Sequence, residues 1–200
     1  NVYYYKVTAV SSVGEGLPGN EASTSWGQQL QGTLIGTDGS YGNNSATTKA
    51  AAVDGNLNTF FDATAASGAW VGYDFGSDGI IVRQIRYAPR NTYAARMTGG
   101  VFQGANNADF SDAVTIFTVP AAPANGVLTT QMITGNTAYR YVRYLSPANG
   151  YCNVAEVQFV GLAAKSPVLT SDKQLSGSAD VGFSYSIIST PLPSNFTATV

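Results

Sequence analysis

Apolar and polar residues alternate with a period of two along most of the chain. Val2 to Val10, Trp70 to Phe75, Ile80 to Tyr87, Ala113 to Val119, Tyr139 to Leu145 and Val154 to Val160 each read as strands. They are rich in Val, Ile, Tyr, Phe and Thr, which suit a pleated, half-buried surface, and Gly, Pro, Asn or Asp clusters bound them. No segment keeps amphipathic helical spacing over three turns; the one short helical stretch is Lys49 to Val53. The pattern predicts an all-β chain.

Composition narrows the partners such a chain could have. Its 200 residues suffice for one large or two small domains with a buried core. Charged residues make up 11% of it, against roughly 25% in an average soluble domain. Gly, Ser, Thr, Asn and Ala take their place, so the surface is rich in hydroxyls and amides and suits neutral ligands or neighbouring subunits. A net charge of -2 supplies no basic footprint for nucleic-acid phosphate. No apolar run reaches the length of a membrane span, and no signal peptide is present.

Histidine is absent and Cys152 is the one cysteine, which excludes an internal disulfide, Cys/His zinc sites, and Ser-His or Cys-His triads. Cys152 heads an apolar strand pattern and reads as a small buried hydrophobe, an intermolecular bridge or a reactive thiol being its other uses. Gly14-Glu15-Gly16-Leu17-Pro18-Gly19 matches a dinucleotide fingerprint, but Pro18 and the lack of a following helix remove its mechanism. Asp54-Gly55-Asn56-Leu57-Asn58 opens like an EF-hand loop. Thr59 then stands where glycine is needed and Ala65 where glutamate is needed, so that reading fails. Asn43-Asn44-Ser45 and Asn195-Phe196-Thr197 are glycosylation sequons. Twelve carboxylates could supply a glycosidase pair, but nothing in the sequence brings two across one cleft.

Five motifs in order carry a resemblance. They are Ala50-Ala51-Ala52-Val53-Asp54-Gly55-Asn56-Leu57-Asn58-Thr59-Phe60-Phe61, Ala69-Trp70-Val71-Gly72-Tyr73-Asp74-Phe75-Gly76, Ile85-Arg86-Tyr87-Ala88-Pro89-Arg90, Arg140-Tyr141-Val142-Arg143-Tyr144 and Asn153-Val154-Ala155-Glu156-Val157-Gln158-Phe159. Together they resemble the discoidin, or coagulation-factor C-type, family, which includes the family 32 carbohydrate-binding modules. The resemblance implies an eight-stranded jelly-roll β-sandwich over residues 26–163, with ligand loops at one end and a binding rather than catalytic role.

Many members of that family hold a structural calcium ion. By the resemblance its ligands here are the carbonyls of Ala51, Asn56, Thr59 and Ala155 with the side chains of Asp54, Thr59 and Glu156. Such an all-oxygen set suits hard Ca²⁺; a polar turn held by Asp54 and Thr59 without metal is the other reading. Sugar-binding relatives stack a pyranose on a loop aromatic flanked by Arg, Asn or Glu. The residues implied here are Tyr41, the loop residues Arg90, Asn91 and Tyr93, and Asn149 and Tyr151. Their alternative use is ordinary turn chemistry. Arg86, Arg90, Arg96, Arg140 and Arg143 read mostly as structural partners of nearby Asp residues or carbonyls, Trp70 as core, and Trp26 as packing at a joint.

The flanks carry their own resemblances. Residues 1–25, through Tyr3-Tyr4-Tyr5-Lys6-Val7-Thr8-Ala9-Val10, resemble the last strands of a fibronectin type III domain. Residues 164–200, through Ser166-Pro167-Val168-Leu169-Thr170 and Gly182-Phe183-Ser184-Tyr185-Ser186-Ile187, resemble the opening of a bacterial immunoglobulin-like domain. Neither flank can bury its own apolar face. The expected function is therefore a non-catalytic glycan-binding or adhesive module of a secreted bacterial multidomain protein, acting outside the cell. The alternative is the protomer of an extracellular filament or surface layer, its incomplete strands completed by other copies of the chain.

Overall fold

The computed structural model describes residues 27–164 throughout, and outside them the backbone of six short strands. Four of these come first: β1 (Val2–Tyr5), β2 (Val10–Ser11), β3 (Gly14–Glu15) and β4 (Ala22–Ser25). The chain divides into two compact units, one of residues 27–164 and one of residues 1–26 with 165–200. In the second unit β1 pairs with β4 and β2 with β3, both antiparallel. Lys6 to Ala9, Trp26, Ser166 and Gly182 to Ile187 lie outside the described residues.

The larger unit is a two-sheet sandwich. Its strands are β5 (Gln28–Leu30), β6 (Thr33–Gly36), β7 (Trp70–Asp74), β8 (Ile80–Pro89), β9 (Val101–Ala105), β10 (Val114–Thr118), β11 (Thr129–Met132), β12 (Ala138–Tyr139), β13 (Tyr141–Leu145) and β14 (Val154–Ala163). Beyond them β15 (Val168–Leu169) pairs with β16 (Ser189–Thr190) in the other unit. One sheet of the sandwich runs β10-β9-β13-β7-β6; the other runs β11-β8-β14-β5, with β12 also on β8. There are ten strands rather than eight, two of which (β5 and β12) are only three and two residues long.

Alternation builds the core. Val71 and Tyr73, Phe102, and Val142 and Tyr144 of the first sheet meet Ile80, Val82, Ile85, Tyr87, Val157 and Phe159 of the second. The inward residues of β8 change parity, from Ile80 and Val82 to Ile85 and Tyr87, because the β8–β14 ladder slips by one residue at Arg83. Phe102 lies at the centre, with the rings of Tyr144, Tyr87, Phe159 and Phe117 at 5.0, 5.4, 6.1 and 6.2 Å. Tilted and edge-on aromatic pairs at such distances add to simple area burial.

Three expectations change. Tyr139 to Leu145 is not one strand: Tyr139 pairs with Ile80 in one sheet and Tyr141 with Asp74 in the other. The chain crosses between sheets at Arg140, whose guanidinium forks onto both oxygens of Asp74 at 2.9 and 3.0 Å. Trp70 is not in the main core. Val71 and Tyr73 take the inward positions of β7, so Trp70 faces outward, half-buried, edge-on to Phe110 at 5.3 Å in a small second cluster. The helical stretch expected at Lys49 to Val53 is a 3₁₀ turn over Lys49–Ala52, but it is not alone: Tyr41–Asn43, Ser45–Thr47 and Ala94–Met97 form 3₁₀ turns too.

The Arg140 hydrogen bonds hold the Asp74 carboxyl below its ordinary value of 3.8. A depressed carboxylate stabilises the fold above that ordinary value, and the contribution disappears as pH falls through the folded-state value. Asp74→Asn should therefore cost about 1 kcal/mol or less at neutral pH, since the pair is partly solvated. It should also flatten the loss of stability just below pH 3.8, as measured by urea denaturation across an acid series.

Candidate functional site

At one end of the sandwich the loops around Tyr41, Asp62, Arg90 to Arg96 and Ser146 to Asn153 converge. The residue that joins them is Asn153, 1% exposed, immediately before β14. Its Oδ1 accepts from Arg96 Nη1 at 2.5 Å, and its Nδ2 donates to Asp62 Oδ1 at 2.7 Å. Its carbonyl accepts from the backbone N–H of Arg90 at 3.2 Å. Asp62 Oδ2 in turn takes Arg90 Nη1 at 2.7 Å. Through its side-chain amide and its carbonyl Asn153 thus joins two arginines of the β8–β9 connection to a carboxylate of the β6–β7 connection.

The arginines are also clasped by rings. The Arg90 guanidinium lies 4.0 Å from the Phe60 ring centroid and 4.4 Å from that of Tyr93. Arg96 lies 4.4 Å from Tyr93 and 4.8 Å from Tyr151. The order Phe60, Arg90, Tyr93, Arg96, Tyr151 is an alternating ladder of rings and cations, each step favourable by roughly 0.5–1 kcal/mol at a partly exposed site. Beside it an open pocket of about 320 Å³ is lined by Leu57, Asn58, Phe60, Arg90, Asn91, Thr92 and Tyr93.

Backbone strain accompanies this arrangement. Thr92, Asn149, Tyr151 and Cys152 have φ of 67°, 60°, 54° and 48°. Non-glycine residues there cost of order 1–3 kcal/mol each and persist only where surroundings enforce them. Here the Tyr151 carbonyl accepts from Ala63 N–H at 2.8 Å, and the Asn149 and Thr92 N–H groups donate to Ser67 Oγ and Asn125 Oδ1. Cys152 is fully buried beneath, and burial pushes its thiol up beyond ordinary titration.

Of the six residues implied for sugar contact, Arg90, Tyr93 and Tyr151 come together in the ladder, and Asn91 lines the pocket. Tyr41, 64% exposed, is tied to the group through its N–H on the Asp62 carbonyl at 2.7 Å. Asn149 lies in the loop that carries Tyr151, with its backbone N–H bonded to Ser67 Oγ rather than to the ladder. Phe60, Asp62, Arg96 and Asn153 were not among the six. Arg90 and Arg140 pair with Asp, as the structural reading of the arginines expects. Arg86, Arg96 and Arg143 pair with carbonyls, the other partner that reading allowed: those of the Gln84, Asn153 and Gln103 side chains.

The residues implied for calcium also converge. Glu156, 0% exposed, accepts from Gly55 N–H at 3.0 Å and Gln158 Nε2 at 3.2 Å. Burial pushes its carboxyl up, the two hydrogen bonds pull it back, and the charge of nearby Asp54 raises it further. Asp54 accepts from Thr59 Oγ1 at 2.7 and 2.9 Å and from Asn56 N–H at 2.8 Å. The Asn56 carbonyl faces the same hydroxyl at 2.7 Å. Ala155 is the extra residue of a β-bulge between Val154 and Glu156, without a partner in the β8 ladder. Ala51 is buried in the 3₁₀ turn that packs on β14. Two facing carboxylates, one buried with only neutral donors, fit a hard divalent cation. No three Asp, Glu, Cys or His residues cluster among the described residues, so carbonyls would complete such a shell.

The model of the F5/8 type C domain family matches residues 35–157. The chain belongs to that family. Among solved structures, CBM62 from Clostridium thermocellum Xyl5A is 50% identical, with a TM-score of 0.67 over 68% of this chain and 99% of that one. The CBM32 of AlyQ, solved with 4,5-unsaturated mannuronic acid, is 20% identical, with a TM-score of 0.50 over 66% of this chain and 97% of that one. A striped bass (Morone saxatilis) serum fucolectin is 20% identical, with a TM-score of 0.52 over 71% of this chain and 48% of that one. The last two share the fold alone. No curated protein matches the chain significantly.

In this F5/8 type C domain the amide of Asn153 carries both arginines. Asn153→Ala should cost roughly 1–3 kcal/mol, because Asp62 and Arg96 lose a buried partner. Urea denaturation measures the loss, and unchanged far-ultraviolet circular dichroism would show the sandwich retained.

Proposed function

We propose that the F5/8 type C domain is a non-catalytic carbohydrate-binding module whose sugar site is the ring-and-arginine ladder at the loop end. The observation that carries this is the ladder itself, drawn from three loops and held by one buried amide. The 50% identity to a CBM62 over nearly all of its length supports the same reading. A pyranose ring has C–H faces that pack on tyrosine and hydroxyls that accept from guanidinium N–H groups. Rings and Asn153 hold Arg90 and Arg96 before the sugar arrives, so little side-chain entropy is lost on binding. A glycan array of plant, animal and bacterial polysaccharides, followed by isothermal titration of the hits, should find binding. Tyr93→Ala and Arg90→Ala should each weaken it by about tenfold, the equivalent of about 1.4 kcal/mol. Binding that both variants retain in full would sink the site assignment.

Calcium is the second element of the proposal. Asp54 and Glu156, the Thr59 hydroxyl and the carbonyls of Ala51, Asn56, Thr59 and Ala155 would hold it. It would supply positive charge to a buried carboxylate and tie the Asp54–Thr59 loop to β14. At a hundredfold excess over its dissociation constant, calcium should stabilise the fold by about 2.7 kcal/mol. Thermal melts in CaCl₂ and in EGTA should differ accordingly, and Glu156→Gln should abolish most of the difference.

The flanks' resemblance to fibronectin type III and immunoglobulin-like domains supports a place in a secreted, extracellular multidomain protein. The filament reading started from flanks with no partner inside the chain. Among the described strands each flank pairs only within itself, and the 50% identity to a CBM62 favours the glycan-binding reading.

A further inference from the structure

The tetrapeptide Pro-Ala-Asn-Gly occurs twice, as Pro123-Ala124-Asn125-Gly126 and as Pro147-Ala148-Asn149-Gly150. Both copies reach the candidate sugar site, and the fold treats them in opposite ways. Asn149 sits in the loop that carries Tyr151. There Gly150 is buried, and its N–H donates to the Pro147 carbonyl at 3.1 Å. A Cβ on Gly150 would lie 2.8 Å from the Arg96 carbonyl, so this backbone has no room to move. At the other copy Asn125 and Gly126 are both exposed, and nothing lies within 4 Å of the corresponding Cβ position. Gly126 N–H makes no hydrogen bond among the described residues. The Asn125 side chain is engaged: its Oδ1 accepts from Thr92 N–H at 3.2 Å.

We propose that Asn125 is a site of spontaneous deamidation, and that its conversion releases the loop that presents Tyr93. The Gly126 backbone nitrogen attacks Asn125 Cγ, forming a C–N bond and a cyclic imide. The side-chain nitrogen leaves as ammonia, carrying the proton that the backbone nitrogen gives up. Water then opens the imide to aspartate or isoaspartate, with no change of oxidation state. Three features favour the step here. The nucleophile is unbonded, and glycine places no side chain in its path. Thr92 N–H already points at the amide oxygen, where negative charge develops in the tetrahedral intermediate. At Asn149 the same chemistry requires the Ser146–Asn153 loop to open first.

The consequence follows from what Asn125 holds. Thr92 sits at φ 67° beside Tyr93, and the amide of Asn125 is its side-chain acceptor. In isoaspartate the former side-chain carbonyl becomes part of the main chain and the free carboxylate sits directly on Cα, one carbon closer to the backbone, so Thr92 N–H loses that acceptor. The strained turn under Tyr93 loosens.

Peptide mass mapping of the intact chain after incubation in warm, mildly alkaline buffer tests this, with isoaspartate labelled enzymatically. Asn125 should convert at least about tenfold faster than Asn149 in the folded chain, since Gly150 reacts only on local opening. In urea the two identical tetrapeptides should convert at matching rates, which assigns the difference to the fold. Equal rates in the folded chain, or an intact Asn125, would overturn the proposal. Hydrogen exchange supplies the second readout. The Thr92 amide should exchange roughly five- to tenfold faster in the isoaspartate form and in Asn125→Ala, the effect of losing one hydrogen bond. Unchanged Thr92 exchange would overturn the link to the Tyr93 loop.

Discussion

The pairing of β14 with β8 governs most of what this molecule presents. Eight consecutive residues of β14, Val154 to Gly161, are buried, so the strand is covered on both faces. Val157 and Phe159 point into the aromatic core around Phe102. Glu156, Gln158 and Val160 point the other way and are buried too, with the Lys49–Ala52 turn packed on the strand and Gly55 N–H on the Glu156 carboxylate. A polar side chain in such a position needs partners, and each of Glu156 and Gln158 has one in the other.

Two functional positions hang on the first residues of that strand. Asn153 precedes it and sets the arginines; Glu156 follows the bulge and faces the Asp54 loop. The bulge at Ala155 lets Val154 and Val157 both face inward while Glu156 faces the Asp54 loop. Without it, strict alternation would send Val157 and Phe159 to the wrong face. Core packing and both candidate sites therefore depend on one irregularity in one ladder.

Much of this was legible from residue order. The alternation of Trp70 to Phe75 and Val154 to Val160 placed two central strands, and Asp54-Gly55-Asn56 with Asn153 to Phe159 carried the family. Strands β5, β6, β9 and β11 were missed because they are short and interrupted. β9 contains Gln103 and Gly104, and Gly104 is required because the Tyr139 ring lies against its backbone. The break at Arg140 was hidden because Tyr139 and Tyr141 look alike locally, yet they pair in different sheets. At the candidate site, exposed loop tyrosines were visible as types. The joining residue, Asn153, was legible only as the opening of the closing motif, because its partners Asp62 and Arg96 are far away in sequence.

By itself the sequence determined the all-β class and the inventory of oxygens and rings, which follow from period and composition, and its ordered motifs carried the resemblance to the family. Tertiary structure decided which guanidinium meets which ring, and which carboxylate is buried. It also decided which of two identical Pro-Ala-Asn-Gly segments is held and which is open. Those outcomes depend on contacts between residues far apart in sequence, such as Asp62 with Asn153 and Gly55 with Glu156. No local pattern encodes such contacts, since their partners are supplied by the register of the sheets.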